Sequence, residues 1–321
     1  MNIIEVENIT KKFDDFIAVN SISFAVKKGE IFGFLGPNGA GKTTTINMLT
    51  GLAKPSSGSI MIAEKNGIKD IKKVQSLIGI VPDESNLYDD LNGFDNLVFC
   101  ASLYGIGKEK REKRAKELLK NFSLDDTGKR LFKNFSKGMK RKLTIAAGII
   151  HEPEILFLDE PTTGIDVESA RQIRKMIKNL NDQGTTIFLT THYIEDAERL
   201  CDRIAFIVGG EVNTISPVNK LMEETEKDYK TRFTIESQTL SFLDDFKDEF
   251  KDVNVLSAKD GQLTISYDRR INLMRFMNFF EKKNIIINEA KIIKPTLEEV
   301  FVKITGIEID KLKEEREVRS K

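Results

Sequence analysis

The sequence predicts a large α/β domain built on a mostly parallel sheet, followed by a small α+β domain. Three observations predict it. Apolar strand-like runs alternate with helical patterns over residues 1–217, the pattern of a layered α/β domain. A glycine-rich turn, GPNGAGKTT at 36–44, is set between a buried strand run and a helical run. After Pro217 the order becomes β-α-β-β-α-β, a ferredoxin-like split unit.

In chain order, IIEVENI (3–9), SISFAV (21–26) and IFGFLG (31–36) read as strands, the last buried on both faces. IGIV (78–81) is the next strand. No strand signal follows until EILFLD (154–159), so the interval predicts a helical insertion at about 86–152 containing GFDNLVFCASLYG and KEKREKRAKELLKNF. The second of these is a charged amphipathic helix with a solvated face. Strands TTIFLTT (185–191) and RIAFIV (203–208) complete the first domain. The second domain, 218–306, reads as strand 229–236, helix 240–250, strands 253–258 and 262–267, helix 271–283 and strand 284–293. A final amphipathic helix at 295–306 is expected to pack Leu297, Val300 and Phe301 on its own domain, before a charged tail at 307–321.

Composition narrows the function. The 321 residues are 40% hydrophobic, enough to fill a large core and a small one. Fifty basic and fifty acidic residues cancel, so no global field argues for nucleic acid as a partner. Two cysteines and two histidines exclude a disulfide framework and a thiolate or histidine metal centre, and a reducing cytosolic setting is expected. Glu5 and Glu7 interrupt the start where a signal peptide needs an apolar core. The longest apolar runs, such as IAAGII (145–150), fall far short of the roughly 20 residues a membrane helix needs. Action at a membrane would require a second chain to span it.

Residues 36–44 match G-x-x-x-x-G-K-[ST] in the strand-to-helix context that motif demands. Its glycines let successive backbone NH groups face one anion, and the helix N-terminus adds its positive dipole end. Gly36, Pro37, Asn38, Gly39, Ala40, Gly41, Lys42, Thr43 and Thr44 are therefore nucleotide-binding candidates. Lys42 can reach the β and γ phosphates, and the Thr43 hydroxyl can ligate Mg²⁺. EILFLDEPTTGID ends a strand on adjacent carboxylates, where open parallel sheets place their ligand crevice. Alternation sends Asp159 and Glu160 in different directions, so one can hold Mg²⁺ and the other can orient the attacking water. His192 follows another strand and should emerge at the same edge, as a γ-phosphate contact.

With these residues in place, 1–217 resembles the ATP-binding cassette (ABC) family, specifically transporter ATPases encoded apart from their membrane subunits. The resemblance implies a P-loop NTPase cassette with a helical subdomain, Phe13 stacking on adenine, Asp159 and Glu160 as the Walker B pair, Asp166 in the D-loop and His192 as the switch. By itself NFSKGMKRKL (134–143) is a basic, solvent-facing helix start. The resemblance makes FSKGM a form of the signature motif, in which Ser136 and Gly138 close over ATP held by the opposite P-loop of a paired cassette. Lys137 and Met139 depart from the usual Gly and Gln. In IGIVPDESNLY, Asp83 stands where the family has Gln. It keeps an oxygen able to approach Mg²⁺, is one methylene shorter, adds charge and loses the amide donor. KPTLEEVFVKITG (294–306) resembles the C-terminal ending of antibiotic-resistance and multidrug or sodium exporter cassettes.

The function implied is ATP hydrolysis driving transport, with export favoured, through separate membrane permease subunits. The chain would sit on the cytoplasmic face of the cell membrane. A soluble mechanical ATPase and a regulatory P-loop module are the alternatives. The latter would need neither the Ser136–Gly138 pair nor the Asp166–His192 set.

Overall fold

The computed structural model describes residues 1–225, 229–236, 241–268, 271–293 and 296–306. The charged tail expected at 307–321 lies outside the described residues. Two compact units emerge among the described residues: residues 1–218 joined by 301–306, and residues within 219–300.

The first unit opens with a long hairpin, β1 (Asn2–Phe13) and β2 (Phe16–Lys27). Both strands extend past the apolar runs at 3–9 and 21–26, because cross-strand pairing continues to Phe13 and Phe16. After β3 (Ile31–Leu35) and α1 (Lys42–Leu49) come β4 (Ser57–Ile62), β5 (Lys65–Asn66) and α2 (Ile71–Gln75), none of which the apolar periodicity marks. β4 and β5 complete an antiparallel sheet in the order β2-β1-β4-β5.

β6 (Ile78–Val81) leads to the helical region, α3 (Gly93–Leu103), α4 (Lys108–Asn121) and α5 (Lys137–Gly148). Asn92 caps α3 by accepting a hydrogen bond from the Asp95 backbone NH at 2.8 Å, satisfying one orphan donor of the first turn. α4 buries only Ala115, Leu118 and Leu119, so most of its charged residues face water, with Arg111, Glu112 and Arg114 partly buried. The chain then alternates through β7 (Ile155–Asp159), α6 (Val167–Asp182), β8 (Thr186–Thr191), α7 (Ile194–Leu200), β9 (Arg203–Val208) and β10 (Glu211–Pro217). The second sheet has the order β10-β9-β3-β8-β7-β6. All its strands are parallel except β10, which hairpins back on β9.

Phe24, Phe32, Phe34, Phe157 and Phe188 pack together in one core, with ring centroids 5.5–5.9 Å apart in offset or tilted contacts. Phe24 comes from the hairpin and the other four from β3, β7 and β8. This aromatic layer fixes the three strands whose C-terminal ends carry the sequence motifs.

In the second unit, α8 (Val218–Thr225) precedes β11 (Tyr229–Ile235), α9 (Leu243–Glu249), β12 (Asn254–Lys259), β13 (Gln262–Tyr267), α10 (Met274–Lys282) and β14 (Ile287–Ile293). The antiparallel order β12-β13-β11-β14 is that of the split unit. Its core is aromatic, with Phe233, Phe242, Phe246, Phe250, Phe276, Phe279 and Phe280. In α11 (Leu297–Thr305), Phe301 packs edge-on to Phe206 at 5.2 Å and so belongs with the first unit. The expectation that the helix packs on the second domain is corrected for Phe301, whose ring has a buried aromatic partner on β9, while Leu297 and Val300 group with the second unit.

Candidate functional site

Sheet order decides which motifs meet. β3, β8, β7 and β6 are consecutive neighbours, so their C-terminal ends line up along one edge. The loop after β3, His192 after β8, Asp159–Glu160 at the end of β7 and Pro82–Asp83 after β6 therefore stand in a row. This is the carboxyl edge where open α/β sheets bind ligands.

At the first position, Gly41 takes φ +100° at the N-cap of α1, and a Cβ there would lie 2.6 Å from the Ala18 carbonyl. Only glycine accommodates both demands. α1 thus begins with its free backbone NH groups turned toward the loop, a ready anion site. Lys42 is buried; its Nζ donates to the carbonyls of Gly36 at 2.9 Å and Pro37 at 3.1 Å. The same ammonium lies 3.2 Å from Glu160 Oε1, close enough for charge attraction but outside hydrogen-bond alignment.

Thr43 Oγ1 donates to Asp159 Oδ2 at 2.8 Å, and the Thr190 hydroxyl donates to Asp159 Oδ1. Asp159 is therefore pinned by one residue from α1 and one from β8. The next residue turns the opposite way. Glu160 sits at φ +49°, a left-handed conformation that costs a non-glycine residue about 1–3 kcal/mol. Its Oε2 contacts His192 Nδ1 at 2.8 Å and accepts from Thr163 Oγ1 at 3.1 Å. Burial pushes the Glu160 carboxyl up, but the His192 hydrogen bond and the charges of Lys42 and His192 outweigh it, so the group lies below its ordinary value and is ionised.

A second group forms around the start of α6. Asp166 caps that helix, accepting from the Ser169 backbone NH at 2.9 Å, and its carboxyl lies below the usual range chiefly through hydrogen bonds from Ser169. Gly138 packs directly on Ser169: a Cβ at 138 would come within 2.2 Å of Ser169 Oγ. Exposed Ser136 caps α5 and accepts from the Met139 NH at 3.3 Å. Phe13 stands at the tip of the β1–β2 hairpin, half-exposed, with Lys11 Nζ 4.8 Å from its ring centroid.

Asp83 is drawn toward Arg141, whose Nη2 lies 3.5 Å from Oδ1. Arg141 is one of two residues that sequence reasoning missed. It is buried, and it also donates to the carbonyls of Pro82 and Glu160. The other is Asp196 on α7, buried between Arg174 Nη1 at 2.7 Å and the Thr162 hydroxyl. It ties the turn after Glu160 to α6 and α7. An acid at the start of a helix is the only sequence signal for it, and Arg141 is one base in a run of basic residues.

The donor set at Thr43 and Asp159 is hard oxygen, one hydroxyl and one carboxylate, which fits Mg²⁺ completed by water and phosphate oxygens. No group of three or more His, Cys, Asp or Glu side chains poised for a metal exists among the described residues. Neither is there a helix long and apolar enough to cross a membrane.

Comparison with known proteins places the chain in a family. A family profile described as ABC transporter matches residues 19–163. The chain is 36% identical over 306 residues to the linearmycin resistance ATP-binding protein LnrL of Bacillus subtilis, covering 94% of this chain and 98% of that one. It is 33% identical over 314 residues to the daunorubicin/doxorubicin resistance ATP-binding protein DrrA of Streptomyces peucetius, covering 94% and 92%. Among solved structures, the dimeric post-hydrolysis state of the ATP-binding cassette MJ0796 bound to ADP and Pi is similar with a TM-score of 0.62 and 28% identity, covering 67% of this chain and 98% of that one. The chain belongs to the ABC transporter family and is one of its ATP-binding ATPase subunits.

Proposed function

We propose that this subunit is an Mg²⁺-dependent ATPase that powers export through separate membrane permease subunits, with two copies closing head to tail on two ATP molecules. One observation carries the chemistry: a buried, ionised Glu160 held between Lys42 and His192 at the end of β7. Export rests on the names of the relatives, which describe resistance to linearmycin and to daunorubicin and doxorubicin. Peripheral attachment to the cytoplasmic membrane face follows from that reading.

In this mechanism the backbone NH groups of Gly39 to Thr44 bind the phosphates, and Lys42 exchanges its contact with Glu160 for the β and γ oxygens. Glu160 then orients water for in-line attack while the His192 ring holds the γ phosphate. Thr43 and Asp159 would hold Mg²⁺, which when bound neutralises charge developing on the phosphates. Phe13 stacks on the adenine, since a half-exposed ring at a hairpin tip offers a free face. Ser136, the Gly138 backbone and Asp166 face the second copy and complete its site.

The test is phosphate release by the full chain against its Glu160→Gln variant at saturating MgATP. Turnover should fall at least about 100-fold, the scale of general-base catalysis, with ATP binding retained. Turnover at the parental rate would remove Glu160 from the catalytic role.

A further inference from the structure

Among the described residues, Arg141 is a buried guanidinium that reaches two strand ends at once. Nη1 donates to the Pro82 carbonyl after β6, while Nη2 donates to the Glu160 carbonyl after β7 at 2.7 Å and lies 3.5 Å from Asp83 Oδ1. The residue comes from α5, two turns of whose side chains are buried against the sheet. Three elements are therefore fastened by one side chain: α5 with its cap Ser136, the Pro82–Asp83 segment that follows β6, and the end of β7 with Glu160 after it.

The point of attachment matters. Glu160 is held in a left-handed conformation at φ +49°, which persists only where surrounding contacts over-determine it. Its carbonyl accepts from Arg141 Nη2 at 2.7 Å and from the Thr163 backbone NH at 3.2 Å, and Arg141 is the side-chain donor of the two, bringing α5 onto the peptide that follows the carboxylate. A guanidinium can do this because its planar fork presents several donors at fixed angles, which an ammonium cannot. Burial disfavours the charge and pulls the Arg141 pKa down, but Asp83, Asp159 and Glu160 offset this, so it stays a cation.

We propose that Arg141 is a positioning residue for hydrolysis: it clamps the strained Glu160 backbone to the Pro82–Asp83 segment after β6, so that Asp83 acts on the reaction through Arg141. This rests on the reading of Glu160 as the residue that orients water. Asp83 and Arg141 form a matched pair in which the acid at 83 balances a base at 141.

The test measures kcat and KM for ATP with the full chain for Arg141→Gln, Arg141→Lys, Asp83→Gln and the Asp83→Gln/Arg141→Gln pair, beside Glu160→Gln. Arg141→Gln should lower kcat about 10- to 100-fold, the effect of misplacing a reacting geometry by about an ångström, with KM changed less than about threefold. Arg141→Lys, whose stem refills the buried channel, should keep the fold and recover only part of kcat. The double variant should lose no more than Arg141→Gln alone, because on this proposal the effect of Asp83 runs through the fork. Parental kcat in Arg141→Gln or Arg141→Lys would overturn the clamp, as would losses in the two single variants that simply multiply in the double. If Glu160→Gln alone turns over at the parental rate, the reading of Glu160 fails instead.

Discussion

At the scale of single residues, the site works by giving two adjacent carboxylates different surroundings. Asp159 is tied to two hydroxyls and presents hard oxygen ligands, whereas Glu160 faces an ammonium and an imidazole. Thr43→Ala should therefore weaken Mg²⁺ dependence, raising the metal concentration at half-maximal turnover about tenfold or more, while nucleotide binding without metal changes little; a metal titration of turnover checks it. Most of this was legible in the sequence. Spacing alone places a Gly-rich loop, two acids and a histidine each at the end of an apolar strand, and parallel topology brings such ends together. Arg141 was not legible, because its partners lie 58 and 19 residues away and meet it only once β6 and β7 pair. Its neighbours in KRK disguise it as one more surface base, although it is buried.

At the scale of elements, the aromatic layer and the ties across strand ends hold the motifs in register. Phe188 touches four other rings of that layer and is fully buried. Phe188→Ala should cost about 3–5 kcal/mol in denaturant unfolding, with the loss of nucleotide binding tracking the loss of folded protein. Asp196→Ala leaves Arg174 without its buried partner and should cost about 3 kcal/mol by the same measurement. His151 at the end of α5 stacks on Tyr104 at 3.6 Å and donates through Nε2 to the Ile78 carbonyl, so it joins α3 to the start of β6. Burial lowers its pKa below the ordinary 6.5, only partly opposed by that hydrogen bond. As pH falls the unfolded chain takes up this proton first, so the His151 contribution to stability is full above about 6.5 and is lost progressively below it. His151→Phe should flatten that part of the stability–pH curve. The strands that sequence patterns missed, β4, β5 and β10, are edge or near-edge strands with weak alternation, and only their pairing defines them.

At the scale of the whole molecule, the residues divide into two sets that one chain keeps apart in role. On the proposed reading the P-loop, Glu160 and His192 form one half-site, and Ser136, Gly138 and Asp166, which cluster at the starts of α5 and α6, form the other. Ser136→Arg should leave ATP binding by the single chain intact while abolishing ATP-induced dimerisation and hydrolysis, as sedimentation and phosphate release would show. The order of strands in the second unit was readable from its β-α-β-β-α-β pattern, whereas the grouping of Phe301 with the first unit was not, because periodicity shows which helix face is buried but not against what. The central claim is that each ATP site is shared between two copies. Mixing Lys42→Ala and Ser136→Arg chains, each inactive alone, measures it most directly. A heterodimer about a two-fold axis has one site whose P-loop and signature are both intact, so phosphate release should return in the mixture while each variant alone stays inactive. A mixture as inactive as either variant would contradict the account.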